Sequence, residues 1–162
     1  MLWQISCAHH DIESRAVRLT WRSTSGFSSN TDGRFTMIDF IGHPEPDSIR
    51  PFSRATRAAG LIFVSGHSAP HDPARGIERG ATAAEQVRNA LTFIDGILCE
   101  QGSSLRRVVQ VTMLITDPAN YAACNEEYVK HFPDGLPARH TVRFGVPTEA
   151  MVGFSCIALA AD

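Results

Sequence analysis

Downstream of Met37, short stretches with an apolar residue at every second position alternate with longer ones in which apolar residues recur every third or fourth position. Thr36–Ile41 has the first pattern, that of a short strand, and Gly42-His43-Pro44-Glu45-Pro46 breaks it. Phe52 to Ala58 and Leu61 to Ser65, separated by Ala59-Gly60, read as a hairpin. The second arm ends at Gly66, and a loop rich in proline and glycine spans His67 to Gly80.

The second pattern is clearest after that loop. Thr82-Ala83-Ala84-Glu85 fits a capping box, in which a hydroxyl and a carboxylate satisfy orphan amides at a helix start. Ala84, Val87, Leu91, Ile94 and Leu98 then form one apolar stripe, and Gly102 is placed to end the helix. Val109, Val111, Met113 and Ile115 predict a strand with one strongly apolar face. Asp117-Pro118 reads as an N-cap followed by proline at the first helical position. The helix it opens runs to about Phe132, with Tyr121, Cys124, Tyr128 and Phe132 on one side, and Pro133 forbids continuation. Two strands close the chain, Arg139 to Val146 and Met151 to Leu159.

The order β-β-α-β-α-β-β, with a single apolar face on each helix, predicts a two-layer α+β domain: a mixed sheet with both helices on one face. The last strand carries Val152, Phe154 and Cys156 on one side and Met151, Ile157 and Leu159 on the other. A strand apolar on both faces needs both covered, and no residues remain to cover the second. A homo-oligomer is therefore expected.

Residues 1–36 lack this periodicity and include a polar stretch from Ser23 to Gly33. They read as a disordered arm, or as residues upstream of a natural start at Met37; residues 37–162 form the expected domain. A net charge of −2, with no basic run beyond Arg106-Arg107, excludes a nucleic-acid footprint. The apolar runs are too short to span a membrane, and no secretory signal is visible. Cys7, Cys99, Cys124 and Cys156 form no C-x-x-C pair; we expect no disulfide framework, no structural zinc and a reducing, cytoplasmic compartment. His67 and His71 have metal-ligand spacing only on a helix, which Pro70 argues against.

Candidate chemistry centres on Leu136-Pro137-Ala138-Arg139-His140-Thr141-Val142. Here an arginine sits at the mouth of an apolar strand, after a proline that fixes the approach. Its planar fork matches a carboxylate two bonds at a time, which suits an anchor for a small carboxylic acid.

Pro51-Phe52-Ser53-Arg54-Ala55, Ile62-Phe63-Val64-Ser65-Gly66, Gly102-Ser103-Ser104-Leu105, Val108-Val109-Gln110-Val111-Thr112, Asn125-Glu126-Glu127-Tyr128 and Pro137-Ala138-Arg139-His140-Thr141-Val142 occur in the order and spacing of the RidA/YjgF family. The resemblance covers roughly Asp47 to Ala160. It implies a chorismate-mutase-like fold assembled as a homotrimer with clefts between subunits. It also implies hydrolysis of reactive enamines and imines, such as 2-aminoacrylate, to 2-keto acids and ammonia, without metal or organic cofactor. By the same resemblance Arg139 holds the substrate carboxylate, Ser65 and Gly66 line the cleft through their backbone, and Asn125 hydrogen-bonds substrate or water.

The chain departs from the family pattern at two positions. The glutamate that usually positions the water in the last strand maps to Gly153, or to Ser155 if the register differs by two. Phe52 replaces a common tyrosine, keeping the stacking surface and losing the hydroxyl. His67, after Ser65-Gly66, is a candidate to orient or deprotonate the water instead. His140 should point away from Arg139 by strand alternation, whereas Arg143 shares its face. Two readings follow: an imine/enamine deaminase with a substituted water-positioning site, and a non-catalytic trimer that binds or senses small keto or amino acids. A ribonuclease, a label some family members have carried, lacks support from any basic patch or paired histidines.

Overall fold

The computed structural model describes residues 37–42 and 51–161. The arm expected over residues 1–36, and most of the predicted break at 42–46, lie outside the described residues. Within them the order is β1 (Asp39–Ile41), β2 (Ala55–Ala58), β3 (Leu61–Ser68), α1 (Ala83–Glu100), β4 (Val108–Ile115), α2 (Tyr121–Tyr128), β5 (Ala138–Arg143) and β6 (Val152–Leu159). The strands form one mixed sheet in the order β1-β2-β3-β6-β4-β5, in which only β4 and β5 are parallel neighbours. The fold is the predicted α+β arrangement.

The β2–β3 hairpin closes through Ala59 (φ 52°) and Gly60 (φ 75°), the two positive angles that match a tight turn to the twist of its strands. Helix α1 begins with the complete capping box: Thr82 Oγ1 accepts from the Glu85 amide at 3.2 Å, and Glu85 Oε2 accepts from the Thr82 amide at 2.9 Å. It ends in a Schellman motif. The Ser103 amide donates to Leu98 and the Gly102 amide to Cys99, which requires the left-handed φ of 71° at Gly102.

The core lies between this helix and the sheet. Val87, Leu91, Ile94 and Leu98 are fully buried against Ile62, Val111, Met113 and Phe154. Helix α2 adds Cys124 and Tyr128, whose ring stacks 6.2 Å from that of Phe154. The other sheet face carries Phe63, Val109, Val142 and Leu159, each between 39% and 45% exposed. Four apolar side chains spread across neighbouring strands form a patch of the kind that marks an interaction surface.

Several boundaries differ from expectation. The strand predicted from Phe52 starts at Ala55, leaving Phe52 on a loop, and β5 stops at Arg143 instead of Val146. The second helix is shorter at both ends. Asp117 accepts from the Ala119 amide at 2.9 Å and caps a 3-10 turn instead of the helix itself, and Tyr121 is exposed. Val109 faces outward because β4 has an extra residue between Val108 and Gln110, a bulge that breaks the alternation. Cys99, expected to be a free thiol, is half-buried and disulfide-bonded, so the cysteines no longer argue for a reducing compartment. Cys124 and Cys156 are free and buried.

Candidate active site

The predicted site residues fall into two groups on opposite faces of the sheet. Arg139 pairs in register with Val111, a buried position of the helix-covered face. From the edge strand its guanidinium lies over the Tyr128 ring, 4.6 Å from the centroid. Stacking of this kind fixes the plane of the fork while leaving its N–H edges free to donate. Among the described residues no carboxylate pairs with Arg139. Asn125 lies one helical turn before Tyr128, on the same face of α2, and its buried Oδ1 has no hydrogen-bond partner among the described residues.

Burial sets the titration around this group. It pushes the Tyr128 hydroxyl up to about 12, against the opposing pull of Arg139, and it raises the Cys124 thiol against the same cation. Both therefore stay neutral near pH 7. The charge here is that of the guanidinium.

The second group surrounds a cavity of about 420 Å³ at the end of the open face. It contains Phe52, Ser65, Gly66, His67 and Gly153 of the predicted residues, and adds Leu114, Thr116, Phe144 and Val152. A bulge builds it. Between Val64 and His67, β3 has one residue more than β6, so Ser65-Gly66 is released from regular pairing. Ser65 Oγ donates to the Ser53 carbonyl at 2.7 Å, and the Ser65 amide donates to Arg54 at 3.0 Å. These bonds tie the bulge to the loop carrying Phe52.

The bulge also decides the direction of His67. The ring packs edge-on against Phe93 of α1, with centroids 5.4 Å apart, and Nε2 lies 3.1 Å from the Arg54 carbonyl. Its backbone, not its ring, approaches Gly153: a Cβ added at Gly153 would stand 3.2 Å from the His67 carbonyl oxygen. Ser155 belongs to a smaller depression with Phe63, Gln110 and Thr112. His140 lies on the open face, Nδ1 3.4 Å from Gln110 Nε2, opposite to Arg139 as alternation requires.

Sequence reasoning missed Tyr128 as the platform for Arg139, having assigned it to the core stripe. It also missed Leu114 and Phe144. The signal for Leu114 was its place on the outward-facing set of β4, in register with Gly153.

A mixed six-stranded sheet backed by two helices, with an unpaired arginine at one edge and a glycine-floored cavity on the open face, is the framework of a small-molecule-binding α+β protein. The Endoribonuclease L-PSP family model matches residues 42–159, and the chain belongs to this family, that of the RidA/YjgF proteins. It is 38% identical over 112 residues to the mitochondrial protein mmf2 of Schizosaccharomyces pombe, covering 67% of this chain and 86% of that one. It is 33% identical over 114 residues to the 3-aminoacrylate deaminase RutC of Acinetobacter baylyi, covering 70% and 90%. The crystal structure of a YjgF family member from Neisseria meningitidis superposes with a TM-score of 0.66 at 30% identity, covering 78% of this chain and 97% of that one. Among the described residues no helix is long and apolar enough to cross a membrane.

Proposed function

We propose that this protein hydrolyses reactive 2-enamine or 2-imine acids to 2-keto acids and ammonia, with the substrate carboxylate held by Arg139. The observation that carries the reading is the unpaired guanidinium fixed over Tyr128, a ring one turn of α2 from Asn125 and its unfilled acceptor. A deaminase of an aminoacrylate among the relatives supports the reaction class. The relative mmf2 is named as mitochondrial, so the relatives do not favour a cytoplasmic location.

The two groups on opposite faces support a site shared between copies of the chain. Arg139 of one subunit anchors the carboxylate, and the cavity at Ser65-Gly66 of a neighbour receives the rest of the substrate, in a homotrimer whose contacts bury the open apolar face. Hydrolysis then needs a water on one face of the C=N bond. Its oxygen attacks the carbon while the C=N π electrons move to nitrogen; both protons of that water pass in turn to nitrogen, and as the oxygen forms the keto carbonyl the C–N bond breaks and its electron pair leaves with ammonia. Holding the carboxylate supplies orientation, which can be a large share of the rate. With glycine at position 153, the polar groups available to orient the water are the bulge backbone at Ser65-Gly66, the serine and threonine hydroxyls of the cavity and Asn125 Oδ1.

One observation favours a second reading, a keto- or amino-acid binder without turnover: no Asp or Glu is among the described residues lining the cavity. Generating 2-aminoacrylate, 2-iminobutanoate or 3-aminoacrylate in situ and following keto- or oxo-acid release separates the two. Acceleration lost in Arg139→Ala supports the deaminase. No acceleration over buffer, with the keto acid still bound, supports the binder.

A further inference from the structure

The cavity offers more room, and of a different character, than a three-carbon acid needs. At about 420 Å³ it is within the range of small-molecule pockets. That is the liquid volume of on the order of a dozen waters, whereas pyruvate has six heavy atoms. Its floor is made of two positions without side chains, Gly66 on β3 and Gly153 on the neighbouring β6, with Leu114 of β4 opposite Gly153. Its walls are Phe52, Phe144 and Val152, with hydroxyls from serine and threonine, and His67 lines it where its ring turns toward Phe93. Among the described residues lining it there is no Asp, Glu, Lys or Arg. A second carboxylate would lose its water here with no Lys or Arg to pair with.

We infer that this cavity receives an apolar, branched or aromatic substituent, so that the substrates are 2-imino acids with bulky hydrophobic side chains instead of small or acidic ones. The inference rests on the proposed function for the placement of the carboxylate, but the cavity's preference can be measured without catalysis. Glycine at position 153 is what opens the floor. A side chain there would project from β6 into the space between Leu114 and the His67–Ser68 backbone.

The test is binding of the corresponding keto acids to the intact protein by calorimetry, with 4-methyl-2-oxopentanoate, phenylpyruvate, pyruvate and 2-oxoglutarate compared at one pH. The expected result is at least about tenfold tighter binding of the first two, since each additional buried methylene is worth about that factor or less. Leu114→Arg should reverse the order, favouring 2-oxoglutarate. Phe144→Ala, at a half-buried position, should weaken phenylpyruvate more than pyruvate if the Leu114 variant does not fold. Equal or tighter binding of pyruvate or 2-oxoglutarate to the unaltered protein overturns the inference, as does failure of all four acids to bind. Preferential binding of the hydrophobic acids without faster hydrolysis of their imines upholds the cavity's preference and removes the deaminase reading, and with it the assignment of these imines as substrates. Hydrolysis of small imines only does the reverse.

Discussion

Arg139 and Tyr128, from an edge strand and from a helix, form a stacked pair with the guanidinium 4.6 Å from the ring centroid. The tyrosine is buried and its ring is locked between Phe132 and Phe154, so the platform is rigid. The pair converts a flexible side chain into an oriented fork, at no more than about 1–2 kcal/mol of attraction.

Arg139→Lys keeps the charge but loses both the stacking plane and the two-bond geometry. It should weaken binding of a 2-keto acid by about tenfold, and Arg139→Ala by about a hundredfold, the range expected for losing charge-assisted hydrogen bonds. Thermal unfolding should change little in either variant, because the site lies at a sheet edge. Calorimetric titration beside a melting curve checks both statements. A lysine variant that binds as tightly as the arginine would show that only charge matters there.

Tyr128→Phe separates platform from hydroxyl. The hydroxyl is buried without a partner among the described residues, so its removal leaves the ring in place and relieves an unsatisfied polar group. Stability should be unchanged or up to about 1 kcal/mol higher, with keto-acid affinity preserved. Tyr128→Leu should lower affinity. Denaturant titration and binding read the two effects separately.

Acid should destabilise the fold in two windows, both set by the contact between the helices. Glu127 is only 4% exposed, and hydrogen bonds from Arg88 and Lys130, each at 2.8 Å, hold its carboxylate down to about 2 against the cost of burial. A depressed carboxylate contributes stability that is fully present above its unfolded value near 4.5 and disappears as pH falls toward 2. About 1–2 kcal/mol is expected, below the full linkage value because Arg88 and Lys130 are themselves 55% and 65% exposed. Burial, opposed by Glu127, also lowers the pKa of His131, so the unfolded chain binds the proton more readily and stability begins to fall below its ordinary value of 6.5. Denaturant midpoints between pH 8 and pH 3 should fall in two steps. Glu127→Gln should flatten the lower one and His131→Gln the upper.

The fold was legible where one local rule sufficed, and less so where the strands are irregular. The capping box at Thr82, the stripe along α1 and the Gly102 stop depend on neighbours in sequence, and each is found as predicted. Val109 and His67 are different. Each follows or sits at a bulge, and one extra residue exchanges the two faces of a strand. Alternation alone therefore placed Val109 in the core, and His67 was read as the start of a loop although β3 continues past the bulge to Ser68. Nothing local in Ser65-Gly66-His67 announces the bulge; it is defined by pairing with β6, almost ninety residues later. Arg139 was legible for its chemistry, but its separation from the cavity was not, because that depends on which sheet face each strand presents.

The largest question of mechanism is what glycine does at position 153, and a graded pair of substitutions addresses it. Gly153→Ala places a methyl group 3.2 Å from the His67 carbonyl oxygen, a backbone atom held by both the strand ladder and the turn of the bulge. Ordinarily alanine in place of strand glycine would gain about 0.5–1 kcal/mol, but the tight contact offsets that gain, and we expect a small net loss of stability. Gly153→Glu bears the same backbone cost and adds a carboxylate at the floor of the cavity, where a water could be polarised. Relative to Gly153→Ala, it should raise the rate of hydrolysis of a small imine by about tenfold or more, since a positioned base is worth about 10²–10⁴-fold when its geometry is right. The gain should follow the ionised carboxylate, appearing as an acidic limb in the pH–rate profile that the alanine variant lacks. The same side chain should weaken binding of 4-methyl-2-oxopentanoate by filling the floor. A glutamate variant that is no faster than alanine at any pH would show that water is already placed by the bulge backbone and Asn125, and that the open floor, rather than a missing base, is what glycine supplies.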